Sequence, residues 1–106
     1  MDKAGGVKHD TGKAPIHLIP YEAIEMIAMA LGYGAKKYGE YNFRKGILWS
    51  RIFSAMMRHA WAFWRGEDND PESGLPHLAH LGACVVMLIS MVVNRKDLDD
   101  RYRGDL

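Results

Sequence analysis

Several classes of protein are excluded by what this 106-residue chain has little of. Cys84 is its single cysteine, so no internal disulfide framework can form. The first residues contain no apolar run of the secretory type, and we therefore expect a cytoplasmic protein. Basic and acidic residues number 14 and 13, a balance that argues against a dedicated nucleic-acid partner.

Long apolar runs are also scarce. The longest covers residues 78–93, about 16 positions, and it is interrupted by His80 and Ser90. A membrane span usually needs roughly 20 mostly apolar residues. We therefore expect this run to be a buried helix and the protein to have no membrane partner.

Three stretches with helical periodicity are present. The first predicted helix runs from about Pro20 to Lys37, and its apolar stripe contains Ile24, Ile27, Ala28 and Leu31. The second runs from Trp49, with Ser50 as a possible cap, to Gly66, and the third runs from about Pro76 to Asn94. With 48% apolar residues and no convincing strand pattern, the chain is predicted to be all-α. Residues 1–106 should form a single domain, with 1–19 as an N-terminal arm and 95–106 as an exposed tail.

The third predicted helix is apolar almost all round, so it must be covered on every side. The other two helices supply too little surface for this. We therefore predict a bundle of three main helices that is completed by oligomerisation. The partner would be a second copy of the chain, in a dimer or tetramer that packs through the third helix.

Three histidines stand out by their positions. His59 lies on the apolar stripe of the second helix, and His77 and His80 share one face of the third at i and i+3. A short loop makes these helices antiparallel neighbours. At ~1.5 Å per residue, His59 and His80 lie about 10 and 6 Å from the loop, so their side chains should converge. Between them the loop contributes four acids, Glu67, Asp68, Asp70 and Glu72.

Imidazoles and carboxylates at one end of a bundle can hold a divalent cation. Carboxylates suit Mg²⁺, which usually bridges to substrate phosphates. The alternative is that each histidine is a hydrogen-bonded core residue and the acidic loop a solvated turn. Glu22 and Glu25 are a second candidate metal-binding pair, although acids in a first helical turn also favour the helix dipole.

Cations that can meet a phosphate are spread along the chain. Arg51, Arg58 and Arg65 recur every seven residues and form one stripe, which can equally be a solvated face. Lys13 lies in a glycine-containing loop without the Walker spacing. The loop after the first helix carries Lys45 as well as aromatic and amide side chains, including Tyr38 and Asn42, that can hold a base or cover a small core. No serine lies in a GxSxG setting, and Cys84 is predicted to be inert and buried.

Three strings of the sequence resemble a known family. They are GKAPIHLIPYEAI, GAKKYGEYNFRKG and, most specific of all, RHAWAFWRGEDNDPESGLPHLAHLGAC, and together they span roughly residues 8–92. They are similar to phage dATP/dGTP diphosphohydrolases, which are related to the MazG-like all-α NTP pyrophosphatases. The usual MazG pattern is ExxE on one helix and ExxD on the next. Glu22 and Glu25 match the first half; no ExxD follows at the usual distance, and His77-x-x-His80 stands in the analogous place on the next-but-one helix.

The resemblance implies Mg²⁺- or Mn²⁺-dependent cleavage of a purine deoxynucleoside triphosphate, dGTP or dATP, to the monophosphate and pyrophosphate, in the host cytoplasm if a phage encodes the protein. The expected catalytic acids are Glu67 and Glu25. The expected metal ligands are Glu22, Glu25, His59, Glu67, Asp70, His77 and His80. The expected substrate contacts are Lys13, Tyr38, Asn42, Lys45 and Arg58. The alternatives are a His-Asp-type metal phosphohydrolase with a different product and a non-catalytic nucleotide-binding helical dimer.

Overall fold

The computed structural model describes residues 4–104 and confirms the all-α class. Its helices are α1 (Tyr21–Tyr38), α2 (Trp49–Trp64) and α3 (His77–Asn94). Three short 3-10 turns, Ile16–Leu18, Asn42–Lys45 and Lys96–Leu98, lie before and between the helices and after the last. Pro20 and Pro76 immediately precede α1 and α3, because a residue without an N–H is tolerated where the first amides have no partner. The described residues contain no strand, only an isolated bridge between Asn69 and Pro76.

Both other helices pack on α3, and α2 runs antiparallel to it. Trp49 at the start of α2 hydrogen-bonds Arg95, just beyond the end of α3, while His59 contacts the first turn of α3. Along α1, Tyr33 lies edge-on to His80, and Ile27 lies against Gly82, two residues further along α3. The third helix is therefore the centre of the fold.

Two clusters of side chains form the core. Trp49, Ile52, Cys84 and Met91 are buried between α2 and α3, and Ala30, Ala79 and Ala83 are buried between α1 and α3. The predicted apolar stripe of α1 was wrong in part, because Ile24 and Ala28 are exposed and Ala30 is buried instead. Small residues on α3 determine which face of α1 packs against it. A Cβ atom at Gly82 would lie 2.8 Å from Ile27 Cγ1, so α1 approaches closely only where α3 presents Gly82 and the alanines.

A large apolar surface remains uncovered. Val85, Ile89, Val92 and Val93 on α3 are exposed, as are Trp61 and Trp64 on α2. The radius of gyration is 17.6 Å, whereas about 13 Å is usual for a compact chain of this length. Among residues 4–104, α3 alone is long and apolar enough to cross a membrane, which is weak evidence since core helices pass the same test. The prediction that a second copy covers α3 stays a prediction.

The chain after α3 contacts the start of α2. Leu98 packs against the core cluster that contains Trp49, and Arg101 lies over the Trp49 ring at 5.1 Å. Ser50 is not the cap of α2, because the helix begins one residue before it. Instead the Ser50 backbone N–H donates to Asp100 Oδ1 at 2.9 Å, and its hydroxyl also bonds that carboxylate. Asp100 thus satisfies an amide at the positive end of α2 from a distant part of the chain.

Candidate metal centre and its cleft

A glycine at the end of α2 directs the chain back towards α3. Gly66 has φ 100°, its N–H donates to Phe63, and the Glu67 N–H donates to Ala62. These two bonds form a Schellman motif, which needs a left-handed residue where Gly66 stands. The motif places Glu67 at the entrance of the loop that carries the acids.

The loop of residues 67–76 is held by its own hydrogen bonds. Asp70 is fixed at both backbone atoms, to Leu75 and Gly74, and its Oδ1 accepts the Glu72 N–H at 3.1 Å. The Ser73 hydroxyl accepts the Leu75 N–H and lies 3.4 Å from Asp70 Oδ2. Because the backbone of this loop is fixed, the Asp70 carboxylate is held against α3 before any ligand arrives.

His59, Asp70 and His80 form the candidate metal group. One ligand atom from each side chain lies within 4.8 Å of the others, and all three residues are half-buried. The two imidazoles stack with centroids 4.7 Å apart, and His80 Nε2 lies 3.6 Å from Asp70 Oδ2. The Ser73 hydroxyl is also 2.7 Å from His80 Nε2, so it orients this ring. Two predicted histidines and one predicted acid are therefore brought together.

His77 lies behind this group. It is the one buried polar residue in the part of the chain that the structure describes, with 4% of its surface exposed. Its Nε2 lies 2.7 Å from Glu67 Oε1 and its Nδ1 lies 2.9 Å from His59 Nδ1. If Nε2–H donates to Glu67, Nδ1 of a neutral His77 accepts the Nδ1–H of His59. This assignment leaves His59 Nε2 with a lone pair for a cation, the orientation that outer hydrogen bonds commonly give to metal-binding histidines.

The surroundings of the two imidazoles favour their neutral form. Burial lowers the pKa of His59, and the neighbouring His80 and His77 lower it further, while Asp70 opposes the shift. Burial also lowers the pKa of His80, again against the effect of Asp70. A metal ion needs the neutral imidazole. Both histidines are therefore poised to bind a cation near neutral pH without first losing a proton.

The metal group opens into a cleft of about 1150 Å³. The end of α1, the following loop, and the facing sides of α2 and α3 form its walls. Ala55, Ala62, Ala83 and Cys84 contribute to the lining and leave room between α2 and α3 because they are small. Burial raises the pKa of the Cys84 thiol, which agrees with an inert buried cysteine. The volume is slightly above the roughly 300–1000 Å³ usual for small-molecule sites.

The predicted substrate contacts divide into two groups. Tyr38, Asn42 and Arg58 line the cleft. Lys13, in the exposed N-terminal arm, and Lys45, in the turn before α2, are not among its lining residues. The loop after α1 therefore contributes one wall through some of its side chains only.

Three predicted acids lie outside the metal group. Glu67 contacts it only through His77. Glu25 and Glu22 are exposed, eight and eleven residues before Tyr33, which contacts His80. At ~1.5 Å per residue they lie about 12 and 16 Å further along α1. Within the described residues, this pair is therefore outside the group that His59, Asp70 and His80 form.

Sequence reasoning missed Ser73 and Tyr33 as residues of the site, and it named Glu72 without its partner Lys37. Ser73 bonds His80, Tyr33 packs on it, and Lys37 and Glu72 form an ion pair at 2.7 Å beside the cleft. That bond raises the pKa of Lys37. Each of these contacts joins distant parts of the chain, so no local spacing indicates it. The position of Ser73, three residues after Asp70 in a turn, was the one available signal.

The fold and site define an all-α protein with a candidate metal group of two imidazoles and one carboxylate in a large cleft. The chain belongs to the family described as dATP/dGTP diphosphohydrolase, N-terminal, whose model matches residues 3–101. It is also 36% identical over 96 residues to a protein of Salmonella phage PMBT28 named dATP/dGTP diphosphohydrolase. The match covers 91% of this chain but 33% of that relative, so the chain spans about a third of the relative's length. No solved structure matches.

Proposed function

We propose that this chain hydrolyses purine deoxynucleoside triphosphates, dGTP or dATP, to the monophosphate and pyrophosphate with a divalent cation. The observation that carries the proposal is the convergence of His59, Asp70 and His80 within 4.8 Å at one end of a cleft. The names of the matching family and of the phage relative support the substrate class.

The donor set fits a divalent cation. Two neutral imidazoles and one carboxylate leave coordination positions open for water and for phosphate oxygens. Nitrogen donors shift the preference away from Mg²⁺, which takes oxygen ligands almost exclusively, so we propose Mn²⁺ as the better ion and Mg²⁺ as a weaker one. When bound, the cation would supply Lewis-acid activation of a phosphate oxygen and of a water molecule.

The chain's own residues would orient the substrate. Arg58 lines the cleft near the histidines and can neutralise charge on the phosphates. Tyr38, the last residue of α1, and Asn42, in the loop after it, line one wall of the cleft, where an aromatic ring can stack on a base and an amide can hydrogen-bond its edge. We assign Glu67 and His77 as positioning residues, because their hydrogen bonds fix the tautomer and the ring orientation of His59.

The test is a panel of the four deoxynucleoside triphosphates with Mn²⁺ or Mg²⁺ and full product analysis. We expect monophosphate and pyrophosphate from dGTP or dATP, little product from pyrimidine substrates, and loss of turnover in His80→Ala. Release of triphosphate or orthophosphate would support a His-Asp-type phosphohydrolase instead. Tight nucleotide binding without any product would support a non-catalytic nucleotide-binding protein.

A further inference from the structure

Two arginines of α2 face the cleft without a partner. Arg51 and Arg58 both line it, seven residues apart on one side of the helix, a rise of about 10 Å. Within residues 4–104 neither side chain makes a hydrogen bond or an ion pair, and both are exposed. The arginines after α3 behave differently, since Arg95, Arg101 and Arg103 all pair with Asp97 or Asp99.

A third arginine reaches the cleft from the opposite wall. Arg44 has its guanidinium 4.8 Å from the Tyr41 ring centroid and donates from Nη2 to Ser90 Oγ at 3.0 Å. These contacts hold the group in place and leave its charge uncompensated by any carboxylate in the described residues. The cleft lysine is different, because the charge of Lys37 is paired with Glu72.

Acidic and basic side chains therefore lie in different parts of the cleft. Asp70 and Glu72 line the end of the cleft that contains the candidate metal group. The arginines without a carboxylate partner line the part that runs along α2 towards Ser90. Arg58 directly precedes His59 in α2, and both residues line the cleft. A ligand with a cation-binding end and a chain of negative charges fits this order of groups.

We propose that Arg58 and Arg51, with Arg44 beyond them, form a polyphosphate subsite that binds the phosphate chain of the substrate and retains pyrophosphate after cleavage. A planar guanidinium binds phosphate oxygens through paired hydrogen bonds, which suits a row of arginines to a phosphate chain. The inference rests on the proposed function and adds the prediction that inorganic pyrophosphate inhibits the enzyme by occupying the arginines.

The seven-residue spacing of the arginines along α2 supplies a matched control. Arg65 lies seven residues after Arg58 and is exposed, but it does not line the cleft. The experiment is calorimetric titration of the full chain with inorganic pyrophosphate in EDTA, so that no metal contributes. Since hydrogen bonds to charged groups contribute about 1.5–3 kcal/mol, we expect Arg51→Gln and Arg58→Gln each to weaken binding by roughly tenfold or more. Arg65→Gln should bind as the wild type does.

Equal weakening by all three substitutions would show a general effect of net charge and would overturn the inference. So would wild-type protein that does not bind pyrophosphate. Arg51→Lys and Arg58→Lys keep the charge and guard against a variant that fails to fold; a folded lysine variant should recover part of the affinity. Far-ultraviolet circular dichroism confirms the helices in each variant.

The proposed subsite and the proposed hydrolysis can be refuted independently of each other. Arginine-dependent pyrophosphate binding by a protein that hydrolyses no nucleotide would refute the proposed function and leave an anion site. Hydrolysis that pyrophosphate inhibits equally in wild type, Arg58→Gln and Arg65→Gln would refute the subsite and leave the function.

Discussion

Replacing Asp70 by asparagine isolates the one carboxylate of the metal group. Asparagine keeps the size of the side chain, and its Oδ1 can still accept the Glu72 N–H that fixes the loop. The negative charge is lost, and Oδ2, the oxygen beside the Ser73 hydroxyl and His80 Nε2, becomes an amide nitrogen that cannot bind a cation. The fold should therefore survive while the affinity for a divalent cation falls.

The size of the effect follows from linkage between binding and folding. Mn²⁺ at a hundred times its dissociation constant stabilises the folded state by about 2.7 kcal/mol. For a domain of about 100 residues this raises Tm by roughly 11–22 °C. Outer hydrogen-bond partners of metal ligands contribute about 10- to 100-fold in affinity, so a direct ligand should contribute about 100-fold or more. At that loss, the same Mn²⁺ concentration stabilises Asp70→Asn by about 0.4 kcal/mol, a rise of roughly 2–3 °C.

The assay is thermal denaturation followed by circular dichroism, with and without Mn²⁺. The matched control is Asp68→Asn, in the same loop, because Asp68 contributes its backbone carbonyl to His77 and its carboxylate is outside the metal group. Asp68→Asn should keep the full rise in Tm. A full rise in Asp70→Asn, or an equal loss in both variants, would refute the assignment of Asp70 as a ligand.

Three further predictions concern assembly, pH and the loop. Ile89 is 61% exposed on α3, so Ile89→Glu should shift a dimer or tetramer towards monomer in equilibrium sedimentation, whereas Val7→Glu in the arm should not. The pKa values of His59 and His80 lie below 6.5, so the unfolded state binds more protons and the unfolding free energy of the metal-free protein should fall as pH drops below about 6.5. Gly66→Ala forces a left-handed residue that costs about 1–2 kcal/mol, which should lower Tm by several degrees.

A specific result would contradict each of these three predictions. A stable wild-type monomer would contradict oligomerisation through α3. An unfolding free energy that is independent of pH between 5 and 7, or equally dependent on pH in His80→Gln, would contradict the burial of neutral imidazoles. Equal Tm values for Gly66→Ala and for Gly5→Ala, a control in open space on the arm, would contradict the need for the Schellman motif.

Helix periodicity predicted the three helices and the meeting of His59 with His80, because a short loop between amphipathic helices leaves one antiparallel arrangement. It did not predict which histidine lies behind the others. That depends on the rotation of α3, which the close contact of Gly82 and the alanines with α1 decides. A spacing of i, i+3 gives His77 and His80 one face but does not say which ring is nearer the cleft.

Contacts between distant parts of the chain could not be predicted from the sequence, for a similar reason. Asp100 meets Ser50, and Lys37 meets Glu72, only after the helices have packed. Glu22 and Glu25 stay a predicted metal-binding pair. Their spacing matches such a pair, but spacing does not show that they lie about 12 and 16 Å along α1 from Tyr33, the residue that contacts His80.

The most direct test of the central claim is hydrolysis of dGTP in ¹⁸O-water with Mn²⁺, followed by mass analysis of both products. Attack at the α-phosphorus, beside the metal group of His59, Asp70 and His80, predicts the label in the deoxynucleoside monophosphate and none in pyrophosphate. Label in the pyrophosphate, or a reaction that proceeds unchanged in His80→Ala, would contradict the claim that this cleft cleaves a nucleoside triphosphate at its α-phosphate.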